Sequence, residues 1–158
     1  MTSDHRHRPR REPLDHLPVD PDSRFVLAGL IGLGAMGGAA ARYELANWIS
    51  VPAGGFPWAT FWTNVSGAFV LGALLVALLE RYPPARFARA FAGTGFLGAY
   101  TTFSTFSVET DVLVKDGHVA TAGAYVAASL VVGLAAAWLG IGFGRALAPV
   151  RRPERSRA

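Results

Sequence analysis

The chain has no cysteine, which excludes disulfides, thiolate metal sites and cysteine nucleophiles and says nothing about redox compartment. Charge is the second scarcity. Residues 1–24 hold ten charged side chains and residues 146–158 hold five, so only 11 remain for the 121 residues from 25 to 145. Those 11 are clustered, leaving charge-free stretches at 25–41, 45–79, 90–108 and 117–144. A soluble domain spreads charge over its surface, at about a quarter of its residues. A disordered chain needs far less apolar content than the 51% found here. What remains is an all-α membrane protein: four transmembrane helices at 25–146, a basic and acidic N-terminal tail at 1–24 expected to be disordered, and a basic C-terminal tail at 147–158.

Chemistry-bearing sets are also missing. The histidines are His5, His7 and His16 in the first tail and His118 in a loop. The acids of the folded region are Glu44, Glu80, Glu109, Asp111 and Asp116, none central in a span. A proton-coupled exporter needs an intramembrane carboxylate as its coupling group, so passive conduction is the better expectation and an enzyme is not expected. The pI near 10 invites a nucleic-acid reading. The arginines, however, lie in tails and short loops without a basic face or aromatic platforms, which suits anionic lipid headgroups and not nucleic acid. Arg10-Arg11 is followed by Glu12, Asp15, Asp20 and Asp22 with no early apolar region, so it is not a twin-arginine signal.

Small residues and aromatics fill the emptied middle. The first span, 25–48, carries Gly34 and Gly38 in a GxxxG pair that lets another helix approach closely. Residues 52–55 make a turn, and the second span runs over 57–79 with Pro57 suited to its first turn. The loop at 80–89 is basic. The third span, 87–113, has a glycine- and hydroxyl-rich centre, which makes a poor continuous helix. A break near 98–102 is expected, and at membrane depth it must be packed in protein. The Gly93-x-Gly95-x-x-Gly98 match to a dinucleotide motif lacks the strand before it that such a motif requires. The fourth span, 119–144, ends in a second GxxxG, Gly140 to Gly144.

Several residues have two readings from spacing alone. Phe103 and Phe106 share a helix face and are core or lipid-facing aromatics, or else two ring edges lining an anion path. Asn64 is a helix–helix amide or a donor to a desolvated anion. Ser104, Thr105, Tyr125 and Ser129 are helix glue or pore-lining hydroxyls. Arg42 anchors the first span, pairs with Glu44, or sits at an anion vestibule. Glu109 is an interfacial carboxylate or lies near a pore end.

Three stretches together resemble the CrcB/Fluc family of small fluoride channels. They are Gly37-Gly38-Ala-Ala-Ala-Arg42-Tyr43, then Thr60-Phe-Trp-Thr63-Asn64-Val-Ser-Gly67, then the long segment from Gly95 through Thr101-Thr102-Phe103-Ser104-Thr105-Phe106 to Glu109. The resemblance covers about 25–145. It implies an antiparallel dimer of four-helix subunits with the third helix broken near mid-membrane, conducting fluoride passively out of the cytoplasm. It further implies Phe103 and Phe106 as pore phenylalanines and Asn64 as pore asparagine, with Thr60, Ser104, Tyr125 and Ser129 along a polar track. Backbone carbonyls of Gly98 and Thr101 would hold a structural Na⁺ on the dimer axis. The rival of similar size, a four-helix multidrug or guanidinium exporter, needs an acid in its first span, and 25–41 has none.

Charge placement adds an expectation about pairing. With four spans, both tails and the 80–89 loop share one side. That side carries 13 Lys/Arg: five in 1–24, three in the loop and five from Arg145 onward. The other two loops hold only Lys115. The positive-inside rule then gives one orientation in the cell membrane, both termini cytoplasmic. A chain of fixed orientation is expected to pair with an oppositely oriented relative and not with itself.

Overall fold

The structure is a computed structural model that describes residues 21–78 and 86–147. The expectations for the tails beyond those bounds and for residues 79–85 lie outside the described residues, while 86–89, expected at the end of the 80–89 loop, are helical. Helix α1 is Pro21–Trp48, α2 is Trp58–Val76, α4 is Phe103–Lys115 and α5 is Val119–Leu147. Between α2 and α4 lies α3, residues 86–100, made of one turn at Arg86–Ala88, a wider-wound stretch Arg89–Leu97 and a last turn at Gly98–Tyr100. Among the described residues there is no strand. Three helices are long and apolar enough to cross a membrane: Ser23–Trp48, Trp58–Val76 and Val119–Leu147. At about 1.5 Å per residue even the 19-residue α2 reaches roughly the hydrocarbon thickness.

Pro57 is one residue earlier than a first-turn position. It precedes α2, and its carbonyl accepts the Phe61 N–H at 3.0 Å. The π-type winding of Arg89–Leu97 is rare at this length, and of its glycines Gly95 is closely packed whereas Gly93 faces open space.

The helices pack as two pairs, α1 with α3 and α2 with α5. Both contacts are backbone-close and both centre on the GxxxG glycines. A Cβ at Gly38 would strike the Phe96 carbonyl oxygen, and one at Gly95 would lie 2.6 Å from the Ile31 carbonyl oxygen. On the other pair, a Cβ at Gly144 would lie 2.8 Å from the Ala73 carbonyl oxygen, and one at Gly140 would strike that of Phe69. In lipid no hydrophobic drive separates helix from solvent, so van der Waals contact of this kind holds the pairs. In each pair the residue numbers rise together along the contact, so the paired helices run parallel.

That topology sorts the charges. Arg24, Arg86, Arg89 and Arg145 fall at the end where α1 and α3 begin and α2 and α5 finish. Glu44, Asp111, Lys115 and Asp116 fall at the opposite end, where Lys115 and Asp111 form an exposed pair at 2.6 Å. Apolar side chains point outward: Trp48 is 80% and Trp138 77% exposed. The buried cluster is small, built from Phe61, Val65, Leu113, Ala122, Tyr125 and Ala136 where α2, α4 and α5 meet. The candidate site lies against it.

Candidate anion path

Two extended residues separate α3 from α4. Thr101 has φ −76°, ψ 157° and Thr102 has φ −150°, ψ 126°. Leaving the helix frees backbone groups that must be satisfied where water is absent. Asn64 of α2 supplies the partners. Its Oδ1 accepts the Thr102 N–H at 2.9 Å, and its Nδ2 donates to the Thr102 carbonyl at 3.0 Å. One side-chain amide thus does for this residue what a neighbouring strand does in a sheet. The Thr102 hydroxyl then starts α4 by accepting the Thr105 N–H at 3.2 Å, a helix N-cap. Thr101 is tied back to α3, both its N–H and its hydroxyl donating to the Leu97 carbonyl at 3.0 Å.

The same bonds bear on Gly98 and Thr101. A continuous helix would aim the Thr102 N–H at the Gly98 carbonyl and the Thr105 N–H at that of Thr101. Both donors are turned elsewhere. Gly98 is also exposed, with only the Gly93 carbonyl oxygen near the place of a Cβ, at 3.8 Å. Neutral carbonyl oxygens released in this way are a donor set that suits an alkali cation.

Beside the clamp is an open-sided cavity of about 280 Å³ lined by Asn64, Thr101, Thr102, Phe103, Phe106 and Ser129, with Leu130 at its edge. Its lining carries amide, hydroxyl and aromatic groups and no full charge. Ser129 Oγ is buried and, among the described residues, has no hydrogen-bond partner. The Phe103 and Phe106 rings lie 5.9 Å apart at 35°; Phe103 is 80% exposed and Phe106 is half-buried. Ser104 is exposed, its hydroxyl 3.2 Å from that of Thr102.

Phe106 links the cavity to a second polar group. Its ring is 5.0 Å from that of Tyr125, which is fully buried. The Tyr125 hydroxyl donates to Glu109 Oε2 at 2.8 Å, and the Thr60 hydroxyl donates to Oε1 at 2.8 Å. Glu109 lies three residues after Phe106 and so shares its helix face. Each carboxylate oxygen is held by a separate buried donor, one from α2 and one from α5. Of the expected site residues, the structure brings together Asn64, Thr101, Phe103, Phe106 and Ser129 around one cavity and Thr60, Glu109 and Tyr125 in one network. Arg42 is half-buried on α1, and among the described residues it forms no ion pair with Glu44 or with this network.

Sequence reasoning gave no separate role to Thr102, Phe56 or Tyr100. Phe56 packs edge-on against Tyr125 at 5.2 Å, and the Tyr100 hydroxyl lies 2.9 Å from that of Ser66, joining α3 to α2. For Thr102 a signal existed: a threonine just before an aromatic helical run, three residues ahead of another hydroxyl, has the spacing of an N-cap.

Comparison with known proteins gives this geometry a context. The family model described as "CrcB-like protein, Camphor Resistance (CrcB)" matches residues 29–141. The chain is 51% identical over 115 residues to "Fluoride-specific ion channel FluC 3" of Streptomyces avermitilis, covering 73% of this chain and 56% of that one, so it spans little more than half of that relative's length. It is 45% identical over 113 residues to "Fluoride-specific ion channel FluC 1" of Streptomyces coelicolor, covering 72% and 73%. It is 42% identical over 128 residues to "Fluoride-specific ion channel FluC 2" of Nocardia farcinica, covering 81% and 89%. A match that runs from α1 to α5 and takes in every residue of the cavity and of the Glu109 network places the chain in one family: it belongs to the CrcB family.

Proposed function

We infer that this chain is a fluoride-specific ion channel of the membrane, and not an enzyme. The observation that carries the reading is an uncharged cavity lined by Asn64, Phe103, Phe106 and a Ser129 hydroxyl that has no partner among the described residues, in a chain whose relatives are named fluoride channels. Fluoride is small and strongly hydrated, so a path must replace lost water with donors yet not trap the ion. An arginine or lysine in the path would bind too tightly. Ring edges, an amide N–H and a hydroxyl each carry partial positive charge and together make a shallower well. Toward Tyr125, a passing anion competes with Glu109 for the hydroxyl protons of Thr60 and Tyr125. The two hydroxyls keep their protons and turn their hydrogen bonds from carboxylate to fluoride, so hydration is replaced stepwise along a track that includes Ser104. Transport is passive: among the described residues the carboxylate beside the track, Glu109, is tied to Thr60 near the start of α2, and none stands at mid-span to couple transport to protons.

The finer assembly belongs to the same proposal. The 101–102 interruption is a break near mid-membrane in one span formed by α3 and α4. A second four-helix subunit packs antiparallel. Carbonyls of Gly98 and Thr101 from each subunit would hold a Na⁺, which would offset the freed carbonyl dipoles and add positive field to the anion paths. Arg42 and Glu109 lie toward vestibules. Both termini face the cytoplasm, and the charge sorting favours an oppositely oriented paralogue as partner over a second copy. A bacterium stripped of its own fluoride exporter tests the function. Expressed alone or together with such a relative, the chain is expected to restore growth in fluoride. Unrestored growth with both proteins present in the membrane would contradict it.

A further inference from the structure

Three features lie outside the reading above: the ring of arginines where α1 and α3 begin, the packing of His118 over Gly54, and the hydrogen bonds of Thr102. The last goes furthest. Thr102 is 8% exposed, and it bonds both to Asn64 of α2 and to the first turn of α4. Its main chain engages Asn64 on both sides: N–H to Oδ1 at 2.9 Å and carbonyl from Nδ2 at 3.0 Å. Its hydroxyl caps α4, accepting from the Thr105 N–H at 3.2 Å and donating to the Thr105 hydroxyl at 3.0 Å.

These bonds settle which way the Asn64 amide points. An asparagine side chain offers one acceptor oxygen and two N–H donors. Here the oxygen accepts from the Thr102 N–H and one N–H donates to the Thr102 carbonyl, so both are turned toward Thr102. The reverse orientation would set N–H against N–H and oxygen against oxygen. The group of Asn64 left for the cavity is its second N–H, a donor that attracts an anion. The clamp works only while Thr102 stays extended, and the capping bond holds it there by making it the residue before α4 instead of part of it. The next residue is Phe103, and Phe106 is one turn on, so the same cap sets where both rings stand.

We propose that Thr102 is a positioning residue for fluoride recognition, whose hydroxyl keeps Asn64 donor-only toward the path and fixes the start of the helix bearing Phe103 and Phe106. It rests on the fluoride-channel reading and adds a dependence on one hydroxyl that acts through Asn64 and the start of α4. Thr102→Val preserves shape and removes the hydroxyl. Thr102→Ala and Thr102→Ser both lose the methyl, and only Ser keeps the hydroxyl. Fluoride efflux from liposomes, measured with an electrode for the full chain in its conducting assembly, is expected to fall about tenfold or more in Val and Ala and to remain near the parent rate in Ser. Selectivity is the second readout: Val and Ala lose discrimination of fluoride against chloride, which lower stability alone does not produce. Val or Ala variants that conduct and select like the parent overturn the proposal, as does a Ser variant that assembles but conducts no better than Ala. If Val and Ala do not assemble, a Ser variant with parental flux and selectivity supports it and one with neither overturns it. A parent protein that moves no fluoride is a different result and counts against the channel reading itself.

Discussion

Phe106 stands between the two polar groups of the site, facing Phe103 on one side and Tyr125 on the other. Replacing it with isoleucine keeps an apolar side chain of fair size and removes the ring edge. Fluoride flux from Phe106→Ile is expected to fall by at least about tenfold while the protein still assembles; unchanged flux would mean that ring edges play no part. Tyr125 gives a second test. Tyr125→Phe deletes one donor to Glu109 and leaves Thr60 as the other. A bond to a charged acceptor contributes about 1.5–3 kcal/mol, so thermal unfolding in detergent should shift downward and flux should drop. A variant equal to the parent in both would show that the Glu109 network is incidental. The sequence displayed these residues but not their pairing. Asn64 and Thr102 are 38 positions apart and Thr60 and Glu109 are 49 apart, and nothing local in either segment says that an amide will meet a backbone or a hydroxyl a carboxylate.

Helix pairing depends on absent side chains. At Gly38 and Gly140 there is no space for even a methyl group beside the facing carbonyl oxygen, whereas at Gly29 nothing lies within 4 Å. Gly38→Ala and Gly140→Ala are each expected to destabilise by about 1–3 kcal/mol through overpacking, read as earlier thermal aggregation in detergent, with Gly29→Ala as the tolerated control. Equal stability of all three would refute backbone-close pairing. The GxxxG spacings made these contacts legible, as the charge-free runs did the three long helices. The wide winding of Arg89–Leu97 was not legible: glycine and threonine there showed that an α-helix would be poor, without showing what replaces it. The cap at Thr102 was legible only in part: threonine before a helical run suits an N-cap, but in a segment this rich in hydroxyls several residues offer the same signal.

At the scale of the molecule, the folded region has a basic end and an end where acids predominate. The positive-inside rule converts that into one orientation. The absence of native cysteine makes the test clean, because one introduced thiol is the only one present. Ala53, exposed in the loop between α1 and α2, replaced by cysteine, should react with a membrane-impermeant maleimide from outside the cell only. Equal labelling from outside and from inverted vesicles would mean that the chain inserts both ways, and the case for a separate partner would fall. The class of fold and the family followed from composition and from three motif-bearing stretches. Charge placement suggested the orientation of a partner but not the face it would cover, because an interface in lipid is made of the same small and apolar residues as the surface facing lipid.

The central claim is that an uncharged, ring-edged cavity passes fluoride and not other halides. The most direct measurement is ion efflux from proteoliposomes holding the purified chain, alone and with an oppositely oriented relative, loaded in turn with fluoride and chloride. The account predicts rapid fluoride release and no chloride release in at least one of these preparations. No fluoride release in either, or equal release of both ions, would contradict it.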